Sequence, residues 1–141
     1  HGYTDAGHPV ACAMALKNIE IMQTERLVER VNETTGPALA RMLGKFKDHP
    51  LVGEVRSIGM LGAMELVADK RTRRRFEGPG RVGTICRNHF AREGYVMRAI
   101  GDTMVTAPPL IFTQSHFEEA EGVIAKVLDQ TLNDVAGELA A

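Results

Sequence analysis

The feature that most constrains this chain is a change of period at His49-Pro50. After it come two runs of strand composition, residues 52–57 and 61–67, with only Ile58-Gly59-Met60 between them. Two strands so closely joined must pair antiparallel, because a parallel return needs a crossover of a dozen residues or so. Before Pro50 the apolar spacing is helical instead. Pro9 is suited to a first helical position, where its missing N–H costs nothing. Ala11, Ala13, Ala15 and Leu16, then Ile19 and Met22, describe a small-residue helix able to pack closely on other backbone. Helical character runs on to Val31, is expected to pause over 32–37 at Gly36-Pro37, and resumes from Ala38 to Phe46. With no strand in its own segment, this stretch reads as a connector.

Beyond the hairpin, residues 70–81 are charged and carry Gly78-Pro79-Gly80, a loop. Val82, Ile85, Cys86, His89 and Phe90 follow helical spacing and stop at Gly94. Residues 95–99 and 104–106 are expected to be short strands around a Gly101-Asp102 turn, with Pro108-Pro109 ending the second. Thr113 or Ser115 can cap a last helix over about 116–135, whose apolar stripe is Phe117, Ala120, Val123, Ile124, Val127, Leu128 and Leu132. The expected class is therefore α+β, antiparallel strands covered by helices.

Composition narrows the partners. The chain has 141 residues, 44% hydrophobic and 25% charged, the balance of a globular domain. Seventeen basic and eighteen acidic residues leave a net charge of −1, and aromatics reach only 5%. Neither a polyanion partner nor a base-stacking platform is expected. The run from Lys70 to Arg75 reads as a solvated loop rather than a nucleic-acid patch. No stretch suggests a membrane span, and Cys12 and Cys86 suit a reducing compartment, so the cytoplasm is expected.

Few residues could carry chemistry. Thr4 stands in a turn with Gly2 and Gly7 just before a helix; it could bind a phosphate through hydroxyl and backbone N–H, or simply cap the turn. His1 and His8 lack ligand spacing, so no metal is expected, and His8 is expected to hydrogen-bond the turn. Arg98 interrupts an apolar run: it is either a bidentate carboxylate clamp or a cation on the open side of an edge strand. Arg56 and Glu65 lie on opposite sides of the hairpin and could pair across it. Neither cysteine sits in a nucleophile arrangement, and there is no Walker or dinucleotide glycine pattern.

Three stretches together resemble class III pyridoxal-phosphate-dependent aminotransferases, the omega-aminotransferase group. They are the opening HGYTDAGHPVACAMAL, the hairpin VRSIGMLGAMELV and the late GYVMRAIGDTMVTAPPLIFT, in the family's order over almost the whole chain. The resemblance implies a fold-type I enzyme: residues 1–48 would be the end of the large domain with its connecting helix, and residues 49–141 the C-terminal small domain. It implies that Tyr3 and Thr4 reach the phosphate of pyridoxal 5'-phosphate across a dimer interface. It implies that Arg98 binds the carboxylate of an omega-amino acid and swings aside for amines, the acceptor being a keto acid such as pyruvate. The full-length protein would be a homodimer or homotetramer.

The family's Schiff-base lysine lies upstream of the opening motif, and Lys17, Lys45, Lys47, Lys70 and Lys126 match it nowhere. The chain by itself is thus expected to be inactive, with no catalytic residue of its own and no firm hold on the cofactor. Two alternatives stay open at this point: a non-catalytic dimerising domain, or another pyridoxal-phosphate reaction (decarboxylation, racemisation, aminomutation) on the same fold.

Overall fold

The computed structural model describes Thr4 and residues 6–139. Pro9–Thr24 form α1, which begins at the proline as its spacing predicts. None of its residues is buried, and it touches chiefly the short α2, Leu27–Arg30. Between them Arg26 takes a left-handed φ of 50°, which turns the chain and ends the first helix.

The expected pause over 32–37 is absent. Val31–Thr35 instead form one π-helical turn that runs directly into α3, Gly36–Gly44. Pro37 sits at the start of α3, where it breaks no hydrogen bond. Gly36 is required for closeness: a Cβ there would stand 2.6 Å from the Val31 carbonyl oxygen and 3.2 Å from Gly59 Cα in the hairpin turn. A side chain at 36 would push helix and hairpin apart. The wider turn leaves the buried Thr35 hydroxyl without a partner among the described residues.

Within the stretch read as a connector, α1 buries nothing whereas α3 packs on the sheet. Leu39, Met42 and Leu43 of α3, with Phe46 just beyond, lie in the same core as the sheet. The physical reason is amphipathicity: a stripe at helical spacing meets the underside of β1 and β2.

The sheet has four antiparallel strands in the order β1-β2-β4-β3. Val52–Ile58 and Leu61–Leu66 are β1 and β2, joined where the sequence places the hairpin. Arg98–Ile100 and Thr103–Thr106 are β3 and β4. Residues 95–97, expected as strand, instead climb from the end of α4 (Arg81–Arg92), and the Tyr95 N–H donates to the Phe90 carbonyl at 2.9 Å. That bond spends the local backbone on the helix end rather than on a ladder. Gly94, with φ of 79°, closes α4 as expected.

The last helix, α5, spans Gln114–Val135. Thr113 is its cap: the hydroxyl accepts from the His116 N–H while His116 Nδ1 accepts from the Thr113 N–H at 3.1 Å. Helices α3 and α4 contact the strands and α5 packs on both helices, so Met64, Leu66 and Met104 share one core with Phe90, Phe117, Ile124 and Leu128. Each such buried side chain contributes about 1.5–3 kcal/mol. No helix among the described residues is long and apolar enough to cross a membrane.

Two histidines tie α5 to its neighbours: His89 Nε2 lies 2.8 Å from Asp134, and His49 Nε2 lies 3.4 Å from Asp129. His49 Nδ1 also accepts the Leu51 N–H at 3.2 Å, which only an unprotonated nitrogen can do. Burial holds the His49 pKa below its ordinary 6.5, against the raising pull of Asp129. The folded chain thus binds this proton less readily than the unfolded one. Stability should fall as pH drops below about 6.5 and level off once both states are protonated. The expected outcome is that His49→Gln loses less melting temperature than the parent chain between about pH 7.5 and 5.5. Parallel declines in calorimetry would remove His49 from the account.

Candidate functional site

Cross-strand register decides which side chains share the uncovered face. Arg98 pairs with Val105, Val105 with Ala63, and Ala63 with Arg56, so these four form one row across the sheet. The adjoining row is Ile100, Thr103, Glu65 and Glu54. Ile58 and Leu61 continue the face toward the hairpin turn, exposed at 79% and 49%. An apolar floor with a guanidinium at each end is therefore left open to whatever covers the sheet.

The charges on this face are not equivalent. Glu54 and Glu65 stand directly opposite each other, a like-charge pair that would be unfavourable alone. Arginines offset it: Glu54 meets Arg56 at 3.3 Å and Arg73 at 3.1 Å, and Glu65 meets Arg75 at 3.6 Å. The expected pairing of Arg56 with Glu65 does not form. The register sets Arg56 opposite Ala63, and Glu54, two residues away on the same strand face, is closer. Arg98 has no carboxylate partner among the described residues. It is exposed on the short edge strand β3, so of the row's two arginines it is the one available to a ligand.

Thr4 is exposed in the turn before α1, and Gly7 takes the left-handed φ of 76° in that turn. Tyr3 and His1 lie outside the described residues. His8 precedes α1 and makes no side-chain capping bond; only its carbonyl takes part, accepting from Cys12 N–H at 3.0 Å. Among the described residues the expected contact of the His8 ring to the turn does not form. Thr4 and Arg98 belong to parts of the chain that share no core: α1 buries nothing, whereas β3 is tied into the sheet.

Fit to pyridoxal phosphate is partial. A hydroxyl in a glycine-containing turn suits a phosphate oxygen, and an unpaired arginine suits a substrate carboxylate. The lysines do not suit a Schiff base. Lys17 pairs with Glu20, Lys45 with Glu121 and Lys126 with Glu93, each within 2.8 Å. Lys70 donates to the carbonyls of Lys47 and His49, and Lys47 is exposed. None stands as a desolvated amine in a cavity.

Sequence reasoning missed two tethers around the late strands. Arg30 donates to the Phe112 carbonyl at 2.7 Å, pinning the proline loop to α2. Asp102, read only as a turn residue, accepts N–H groups from the start of α4. Both join residues far apart in sequence, so no local pattern signals them.

Comparison with known proteins now decides the family. The model of the class-III aminotransferases matches residues 1–128. The chain belongs to that family. The putrescine–pyruvate aminotransferase of Pseudomonas aeruginosa is 49% identical over 131 residues, 93% of this chain and 28% of that protein. A mitochondrial gamma aminobutyrate transaminase of Solanum lycopersicum is 35% identical over the same share of this chain and 25% of its own length. The omega transaminase of Pseudomonas jessenii in complex with PMP superposes with a TM-score of 0.90 at 38% identity, covering 96% of this chain and 30% of that one. The α+β architecture, a small C-terminal domain of a fold-type I transaminase, agrees with this neighbour. This class-III aminotransferase chain therefore spans between a quarter and a third of the length of these relatives.

The cysteines carry no site. Cys86 is fully buried beside Thr131, and burial pushes its thiol up to about 11. Cys12 is exposed on α1. A thiol reagent added to the 141-residue chain should label Cys12 at once and Cys86 only after denaturation. Prompt labelling of both would show that α4 and α5 do not seal the core.

Proposed function

We propose that this chain is the C-terminal portion of a pyridoxal-phosphate-dependent aminotransferase that moves an amino group from an omega-amino acid or amine to a keto acid such as pyruvate. The observation that carries the reading is Arg98, an exposed guanidinium without a carboxylate partner among the described residues, at one end of an apolar row on the open sheet face. Membership of the class-III family supports the reaction class. The names of the relatives support, without fixing, an amine or omega-amino acid donor.

In this reading each residue has a limited task. Arg98 offers parallel N–H donors to a carboxylate, worth roughly twice a neutral hydrogen bond. Its flexible stem lets the head leave, and Val105 and Ala63 then present an apolar surface to a substrate without a carboxylate. Thr4 would donate its hydroxyl to a cofactor phosphate oxygen on a neighbouring subunit of a dimer, and Tyr3, its neighbour in sequence, would reach the same phosphate. Pyridoxal phosphate, when bound, supplies the electron sink for amino transfer. The lysine that anchors it lies elsewhere in the protein, so the chain alone is inactive. We assign residues 1–48 to the end of the large domain and its connecting helix and residues 49–141 to the small domain, with α3 of the connection packed on the small domain's core, and the protein to the cytoplasm.

Replacing Arg98 with Ala in the whole enzyme should raise KM for a carboxylate-bearing donor by about tenfold to a hundredfold while sparing a donor amine without one. Equal turnover of both donors by the variant would remove the role. The 141-residue chain mixed with pyridoxal phosphate should show no absorbance band of a lysine-linked cofactor. A stoichiometric band would contradict the assignment of the anchoring lysine to another part of the protein.

A further inference from the structure

Arg98 owes its place to very little local structure. Strand β3 is three residues long, lies at the sheet edge and pairs only with β4. The backbone holding it is fixed at two points. Upstream, the Tyr95 N–H is bound to the Phe90 carbonyl at the end of α4. Downstream, the Gly101-Asp102 turn returns the chain into β4, and Ile100 pairs with Thr103 across it.

The downstream point is unusually well tied, and one residue ties it. The Asp102 carboxylate accepts the Gly83 N–H at 2.8 Å through Oδ1 and the Gly80 N–H at 3.2 Å through Oδ2. These belong to the first turn of α4 and its cap, so an anion from a distant hairpin satisfies donors that a helix start leaves free. Gly80, the cap residue, makes no side-chain capping bond and has none to offer. The Asp102 carbonyl meanwhile accepts the Leu66 N–H at 2.9 Å, at the end of β2. Helix α4, strand β2 and the β3–β4 turn therefore meet at Asp102.

The contact is also sterically exact. A Cβ on Gly83 would stand 2.1 Å from the Gly101 carbonyl oxygen and 3.0 Å from Asp102 Cα. The first turn of α4 lies flat against the hairpin turn, with no room for slippage.

We propose that Asp102 is a positioning residue for Arg98: by clamping the β3–β4 turn to α4 it sets where the guanidinium meets a substrate carboxylate. The proposal rests on the reading of Arg98 given under Proposed function. Asp102 touches no substrate in it. Removing the charge, as in Asp102→Asn, turns one acceptor into an N–H₂ facing N–H donors, which loosens the turn without emptying the space.

The test uses the whole enzyme and measures the donor half-reaction separately for β-alanine, which carries a carboxylate, and for 1,4-diaminobutane, which does not. For Asp102→Asn and Asp102→Ala, KM for β-alanine should rise about tenfold while both parameters for the diamine stay within about twofold. Gly83→Ala, which wedges the same contact from the other side, should give the same split. An equal loss with both donors, or no change with either, would overturn the proposal, and far-UV circular dichroism identifies any variant that has not folded. Should a variant fail to fold, the split is read from the remaining two. Arg98→Ala is run alongside: if it shows the split and the Asp102 and Gly83 variants do not, only the positioning role fails. If Arg98→Ala shows no split, the clamp reading itself fails.

Discussion

Everything in this chain depends on a sheet that is sealed on one face only. Met64 and Met104 face each other across β2 and β4, and with Leu66 they draw α3, α4 and α5 onto the same side. Alternation along the strands then forces Arg56, Ala63, Val105 and Arg98 to the other side. A one-residue slip of β3 on β4 would bury the Arg98 guanidinium among helices, at a desolvation cost no partner there offsets. The same packing that stabilises the chain thus presents the arginine.

Electrostatics sorts the open face further. Two glutamates opposite each other would oppose pairing of β1 and β2, and three arginines offset them. These contacts are solvent-exposed and individually worth less than about 1 kcal/mol. Their effect is selective rather than stabilising: Arg56, Arg73 and Arg75 are occupied, and Arg98 stays available. Helix α1, with Val10, Met14, Leu16, Ile19 and Ile21 all exposed, shows the complementary situation, apolar surface that nothing among the described residues covers.

Much of this was legible in order of residues because it is local. The hairpin at Gly59-Met60, the stop at Gly94 and the Thr113 cap each depend on neighbours a few residues away. Two of the misreadings involve distant competition. Gly36-Pro37 looks like a break until α3 is seen to press Gly36 against Gly59, and residues 95–97 look like strand until Phe90 claims the Tyr95 N–H. Arg56 and Glu65 lie on opposite sides of the hairpin, but the register sets Arg56 opposite Ala63, and Glu54, two residues away on its own strand, is closer. Arg98 can be singled out as a charge in an apolar run, and its exposed place on the open side of an edge strand is as compatible with a surface cation as with the proposed clamp. Asp102 was invisible as more than a turn because its partners lie about twenty residues upstream.

The central claim, that the open face presents Arg98 to a carboxylate, is tested most directly by a crystal structure of the whole enzyme with a bound omega-amino acid or keto acid. The account predicts both carboxylate oxygens within about 2.7–2.9 Å of Arg98 guanidinium nitrogens, in parallel geometry. A carboxylate held by another residue, with Arg98 turned into solvent, would contradict it.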